Sequence, residues 1–218
     1  MKNNSTNPGD DLQAIRDIME RSSRFLSLSG LSGIFAGACA LAGAAIAWLF
    51  ILDSGNIRYD EYWHSAGVTH SFSMRNYLIL DALLVLAAAL LGAAYFSRRK
   101  AMKAGTNLWT VSTKRLILHL TIPLFTGGIF ILILAYRGNI ELVVPAMLIF
   151  YGLALVNAGK FTFGEIHYLG LTQIGLGILA AIFTGYGLIF WTAGFGLMHI
   201  IYGAVMYLRY ERVEDIET

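Results

Sequence analysis

The chain has 218 residues, of which 56% are hydrophobic and only 14% charged, against about 25% charged in a soluble domain. That is too little charge to cover a water-facing surface, and the long uncharged runs place the chain in the membrane class. The net charge of +2, with basic residues at the edges of apolar runs, points away from nucleic acid. Cys39 is the single cysteine, which excludes an intrachain disulfide and a cysteine-built metal site.

Residues 1–24 read as a cytoplasmic polar tail followed by a short amphipathic helix. The first nine residues are polar and lack the apolar content to fold. From Asp10 to Arg24 a helix is expected, with Asp10 as cap and Gln13 three positions on. Leu12, Ile15 and Met19 fall on one face, which suits a helix lying in the membrane surface. The first apolar run extends from Phe25 to Leu52. That is longer than the ~7–15 residues of a signal-peptide core, so an uncleaved anchor is expected.

About 20 residues cross the ~30 Å hydrocarbon core of a bilayer. On that measure residues 25–209 form a membrane domain of six spans, at about 27–52, 77–96, 116–136, 142–158, 166–183 and 188–208. The first is rich in small residues, with Gly33 and Gly37 forming a GxxxG pair. Such a pair lets helix backbones approach, either inside the bundle or as the seam of a homo-oligomer. Residues 53–75 make a long polar and aromatic loop that carries His64 and His70 with Asp60 and Glu61 nearby, a weak metal-site pattern at most. Arg98, Arg99, Lys100 and Lys103 form the densest basic cluster, after the second span. Residues 210–218 form an acidic, solvated tail.

With both termini on one side, that side holds 13 of the 16 Lys and Arg residues. The positive-inside rule then places both termini in the cytoplasm, in a bacterial inner membrane. The even-numbered spans end alike, in Leu91-Gly92-Ala93, Tyr151-Gly152-Leu153 and Tyr202-Gly203-Ala204. The expected fold is all-α: a six-helix membrane bundle of three helical hairpins, plus the interfacial helix.

Ionisable groups inside spans are costly and mark candidate sites. Asp81 is expected near the outer interface, paired with His64, His70 or Arg75. His119 is expected near the inner interface, bonded to a backbone carbonyl. Glu165 and His167 should mark where the fifth span meets the headgroups. Gln173 needs a partner across the bundle, and His199, deepest of all, needs a Thr, Gln or Tyr from a neighbouring helix. Asp81, His119, Gln173 and His199 therefore form the candidate intramembrane set.

No Gly-x-Ser-x-Gly, His-Glu-x-x-His or phosphate-binding glycine loop occurs, and no cofactor is implied. The expectation is a non-enzymatic membrane component acting through the lipid bilayer or a protein partner. Two alternatives stand beside it. One is a small transporter or channel with a polar path through Asp81, Gln173 and His199. The other is a haem- or quinone-binding redox protein, which would need two histidines at matched depth.

Overall fold

The computed structural model describes residues 25, 27–51 and 68–212. The helix expected over 10–24, His64 and the acidic residues Glu214, Asp215 and Glu217 lie outside the described residues. Every regular element among the described residues is helical. Among the described residues six helices are long and apolar enough to cross a membrane, the character of a multi-pass integral membrane protein. They are α1 (Gly30–Phe50), α2 (Val68–Lys103), α3 (Val111–Tyr136), α4 (Val143–Ala158), α5 (Gly164–Ile182) and α6 (Gly187–Tyr210).

The boundaries differ from the sequence reading in instructive ways. Helix α2 has 36 residues, about 54 Å at 1.5 Å per residue. It therefore takes in residues 68–75, expected as loop, and carries the basic cluster on its own last turns rather than after them. Helix α3 starts earlier than expected because Thr110 and Thr113 form a reciprocal capping box, with the Thr113 amide donating to Thr110 Oγ1 at 3.2 Å. Pro145 sits in the first turn of α4, where a missing N–H costs nothing.

Packing follows the glycines. In lipid, helices gain nothing from hydrophobic burial against one another, so close backbone approach decides neighbours. On α1, a Cβ at Gly37 would stand 2.6 Å from the Gly196 carbonyl oxygen, and one at Gly33 would stand 3.0 Å from Gly203 Cα. The Gly33 and Gly37 pair thus faces α6 of the same chain. On α4 and α5, a Cβ at Gly152 would meet the Gly170 oxygen at 2.6 Å, and one at Gly170 would meet the Gly152 oxygen at 2.7 Å.

Consequently α1 packs between α2 and α6, and α4 packs between α3 and α5. The hairpins α1–α2 and α3–α4 have the expected partners, but the third does not. Helices α5 and α6 are joined by a tight turn, with Gly185 at φ +95°, yet the main neighbour of α6 is α1. The physical reason is that Gly170 and Gly177 of α5 face α4, whereas Gly196 and Gly203 of α6 face α1. Gly152 and Gly203, in two of the three similar span endings, are both points of backbone contact. Gly92, in the third, is covered by the Phe35 ring.

One end of the bundle is tied by side chains. The Gly30 amide donates to Glu211 Oε1 at 2.6 Å, and Ser29 Oγ donates to Glu211 Oε2 at 3.0 Å. A carboxylate from the end of α6 thereby caps the positive N-terminus of α1. Lys100 of α2 reaches the same carboxylate at 3.4 Å and the Leu28 carbonyl at 3.0 Å. Glu211 is a structural clasp, where a solvated tail residue was expected. Glu165, in the first turn of α5, is buried, and it accepts from Arg209 at 2.9 Å and from the Tyr210 hydroxyl at 3.0 Å.

Two stability predictions come from this packing. Gly203→Leu must displace backbone atoms of α1 and should lower the melting temperature in detergent sharply. Gly128→Ala, with nothing within 4 Å of its Cβ, should leave it unchanged or raise it. Glu211→Ala removes hydrogen bonds to a charged acceptor and should cost about 1.5–3 kcal/mol, read by the same thermal denaturation.

Candidate functional site

The middle of the bundle contains one polar network, and it is built on an irregular stretch of α6. Seven residues, Thr192–Met198, wind as π-helix. This segment contains Gly194 and Gly196, and glycine tolerates departures from α geometry. π-Helix is rare, and where it interrupts an α-helix it frequently falls at functional sites. The stretch turns Gly196 toward Leu41 of α1 and Gly194 toward Leu148 of α4 and Gln173 of α5.

Three side chains converge there from three helices. Gln173 Nε2 donates to the Gly194 carbonyl oxygen at 2.7 Å. His199 Nδ1 contacts the same oxygen at 3.0 Å, and Tyr151 Oη lies 2.7 Å from His199 Nε2. A carbonyl oxygen only accepts, so Nδ1 carries a hydrogen; in the neutral imidazole Nε2 then accepts from the Tyr151 hydroxyl. The Tyr151 and His199 rings also stack, 5.4 Å apart, and the Phe195 ring lies 5.1 Å from Tyr151.

Gln173 is fully buried, and its Oε1 has no hydrogen-bond partner. Flipping the amide does not resolve this, because it would set one oxygen against the Gly194 oxygen. The side-chain oxygen lies against the backbone of Gly194, where a Cβ would stand 2.5 Å from it. An unsatisfied acceptor in a dry interior is costly, so Gln173 is held by the geometry of its neighbours.

The four candidates from the sequence are thus separated. Gln173 and His199 meet at Gly194. Asp81 does not join them: its carboxylate faces α1, with Oδ2 3.3 Å from where a Cβ on Gly43 would stand. Leu41 and Gly43 are two residues apart on α1 and face α6 and α2 respectively. Asp81 therefore lies near the depth of Gly196 with α1 between them, and its side chain has no hydrogen bond or ion pair among the described residues.

His119 is not held by a backbone carbonyl; it stacks on the Phe161 ring at 4.8 Å. His167 meets Tyr168 edge-on, and its backbone packs on Gly159. Both rings belong to the end of the bundle that holds Phe161, whereas His199 is central. Among the described residues no group of three metal-ligating side chains occurs.

Sequence reasoning missed Tyr151 and the Gly194 carbonyl. The available signals were the pair of glycines, Gly194 and Gly196, just before His199, and the need of His199 for a Thr, Gln or Tyr from a neighbouring helix, which Tyr151 meets. No protein-family model, no curated protein and no solved structure matches this chain.

The network gives a direct prediction. Tyr151→Phe leaves the His199 Nε2 lone pair unpaired and should lower thermal stability. A double-mutant cycle with His199→Leu should give a coupling of about 0.6 kcal/mol, the average for hydrogen bonds between membrane helices, and no more than about 1.7 kcal/mol. Zero coupling would show that the contact contributes nothing.

Proposed function

We propose that this chain is a non-enzymatic integral membrane protein, a structural, stress-related or accessory component acting through lipid or protein partners. The observation that supports this reading is that His199, Tyr151 and the Gln173 amide nitrogen are bonded within the chain, around the Gly194 carbonyl. His199 has both ring nitrogens bonded within the chain, and the Gln173 amide nitrogen is bonded to backbone. Such a network pins α4, α5 and α6 together. We place the protein in a bacterial inner membrane with both termini cytoplasmic, on the strength of the 13 of 16 cations gathered on that side.

The transporter or channel reading has one specific observation in its favour. The unpartnered Gln173 Oε1 lies beside the π-helical stretch, and irregular backbone at membrane depth is tolerated where protein buries it or where it lines a water-filled cavity. In this reading Asp81 and the Gln173–His199 pair serve two sites, since α1 stands between them. The haem or quinone reading draws least support, because His119 and His167 lie at one end and His199 at the centre.

Absorbance and native mass spectra of the detergent-purified full chain separate these readings. The expected result is a colourless protein carrying lipid only, with proton flux in proteoliposomes no greater than in empty ones. A Soret band, or a bound mass beyond lipid, would overturn the accessory reading in favour of redox chemistry or carriage. Flux that Asp81→Asn abolishes would overturn it in favour of transport.

A further inference from the structure

Helices α1–α6 hold two acidic side chains, Asp81 and Glu165. Glu165 is paired with Arg209 and Tyr210, whereas Asp81 has no hydrogen bond or ion pair among the described residues. Its depth follows from the two helices that meet there. Gly43, which the carboxylate faces, stands roughly 20 Å along α1 from Gly30, and Asp81 stands roughly 25 Å along α2 from Arg98, at 1.5 Å per residue. In a hydrocarbon core of ~30 Å the carboxyl group lies within the apolar layer, toward the face opposite the basic cluster.

The described surroundings are apolar. Helix α1 is the one on which α2 packs, and Asp81 Oδ2 and Oδ1 lie 3.3 and 3.6 Å from where a Cβ on Gly43 would stand. Ala47, one turn further along α1, is buried, and Leu80, Leu83 and Leu84 beside Asp81 on α2 are exposed. Residues 33–51 of α1 contain no charge and no side-chain oxygen, and Cys39, one turn before Gly43, is their one titratable group. On α2 the titratable side chain one turn before Asp81 is Tyr77, which is exposed. Residues 82–97 carry no charge.

An ionised carboxylate without a partner is costly in an apolar setting, and neutralising it removes that cost. A hard metal cation needs several oxygen ligands, and α1 offers no side-chain oxygen beside Asp81. A proton needs only the one carboxylate. We propose that Asp81 is a proton-binding site, a carboxyl group that carries an exchangeable proton at neutral pH on the α1–α2 contact. Asp81 is half-buried, so the group is reached without parting the two helices. The site is distinct from the mid-span network and does not rest on the functional reading above. Proton flux would overturn that reading and leave this one standing, and a bound proton without flux leaves both.

Dicyclohexylcarbodiimide dissolves in lipid and reacts with a protonated carboxyl group. The acid passes its proton to one carbodiimide nitrogen while its oxygen bonds to the central carbon. The acyl group then shifts to the other nitrogen, and nothing leaves. The test treats the full chain in phosphatidylcholine liposomes at neutral pH and maps the adduct by peptide mass spectrometry. An aspartate in water, with a pKa of about 3.9, is ionised there and reacts slowly. The expected result is an adduct at Asp81 that a water-soluble carbodiimide forms far more slowly. Raising the pH should slow the reaction, by about tenfold per pH unit once the ionised form predominates. No adduct at Asp81 overturns the proposal. So does equal labelling by the water-soluble reagent, which would put the carboxyl group in water, or a rate that raising the pH leaves unchanged. D81N should take up one carbodiimide fewer per chain, and undiminished uptake overturns the assignment. Mapping on the unmodified chain keeps the test independent of whether that variant folds.

Discussion

The structure depends on backbone-to-backbone contact through glycine. Water cannot drive helices together inside a bilayer, because lipid tails are as apolar as leucine. Contact distance then decides which helix goes where. Gly33 and Gly37 bring α1 against Gly196 and Gly203 of α6, and Gly152 meets Gly170 across α4 and α5. Helices α2 and α3 have fewer such contacts and are left at the periphery. Their spans are the least buried of the six, at 6% each.

This division places α6 at the centre of both polar regions. Its glycine face fixes it on α1, and the opposite face then presents Gly194 and His199 to α4 and α5. Its end carries Arg209, Tyr210 and Glu211, which tie it to Glu165, to the start of α1 and to Lys100 of α2. A rigid displacement of α6 would break the mid-span network and the terminal clasp together. The two regions are mechanically one unit, although no side chain links them directly.

The number and approximate position of the spans were legible in the sequence, because length and hydropathy bear directly on what crosses a bilayer. Helix partners were not. A reading by connectivity pairs α5 with α6 across a short turn, whereas their glycine stripes turn them toward different neighbours. The sequence singled out Gln173 and His199 by their polarity and depth. It could not show that they meet on a backbone carbonyl, because the Gly194 oxygen has no side-chain signature. Tyr151 went unread for a related reason: a tyrosine in an apolar helix signals a polar tip but not its direction. Glu211 was read as solvated since it sits in an acidic tail, and only the fold brings the open N-terminus of α1 to it.

What remains unsatisfied in a membrane protein is more informative than what is satisfied, because the surroundings offer no water to repair it. Among the described residues three such groups stand out: Gln173 Oε1, the Asp81 carboxylate, and the exposed cations Arg98, Arg99, Lys114 and Arg115. Gln173 Oε1 is enclosed by protein, and the constraint on it is the packing of Gly194 against α5, so its cost falls on stability. Arg98, Arg99, Lys114 and Arg115 are open to the membrane boundary and incur no such cost in the bare fold. Helices α2 and α3 also have the least internal packing, at 6% of each span buried. On this argument the α1–α6 and α4–α5 pairs hold their positions through their own glycines, while α2 and α3 depend on fewer such contacts.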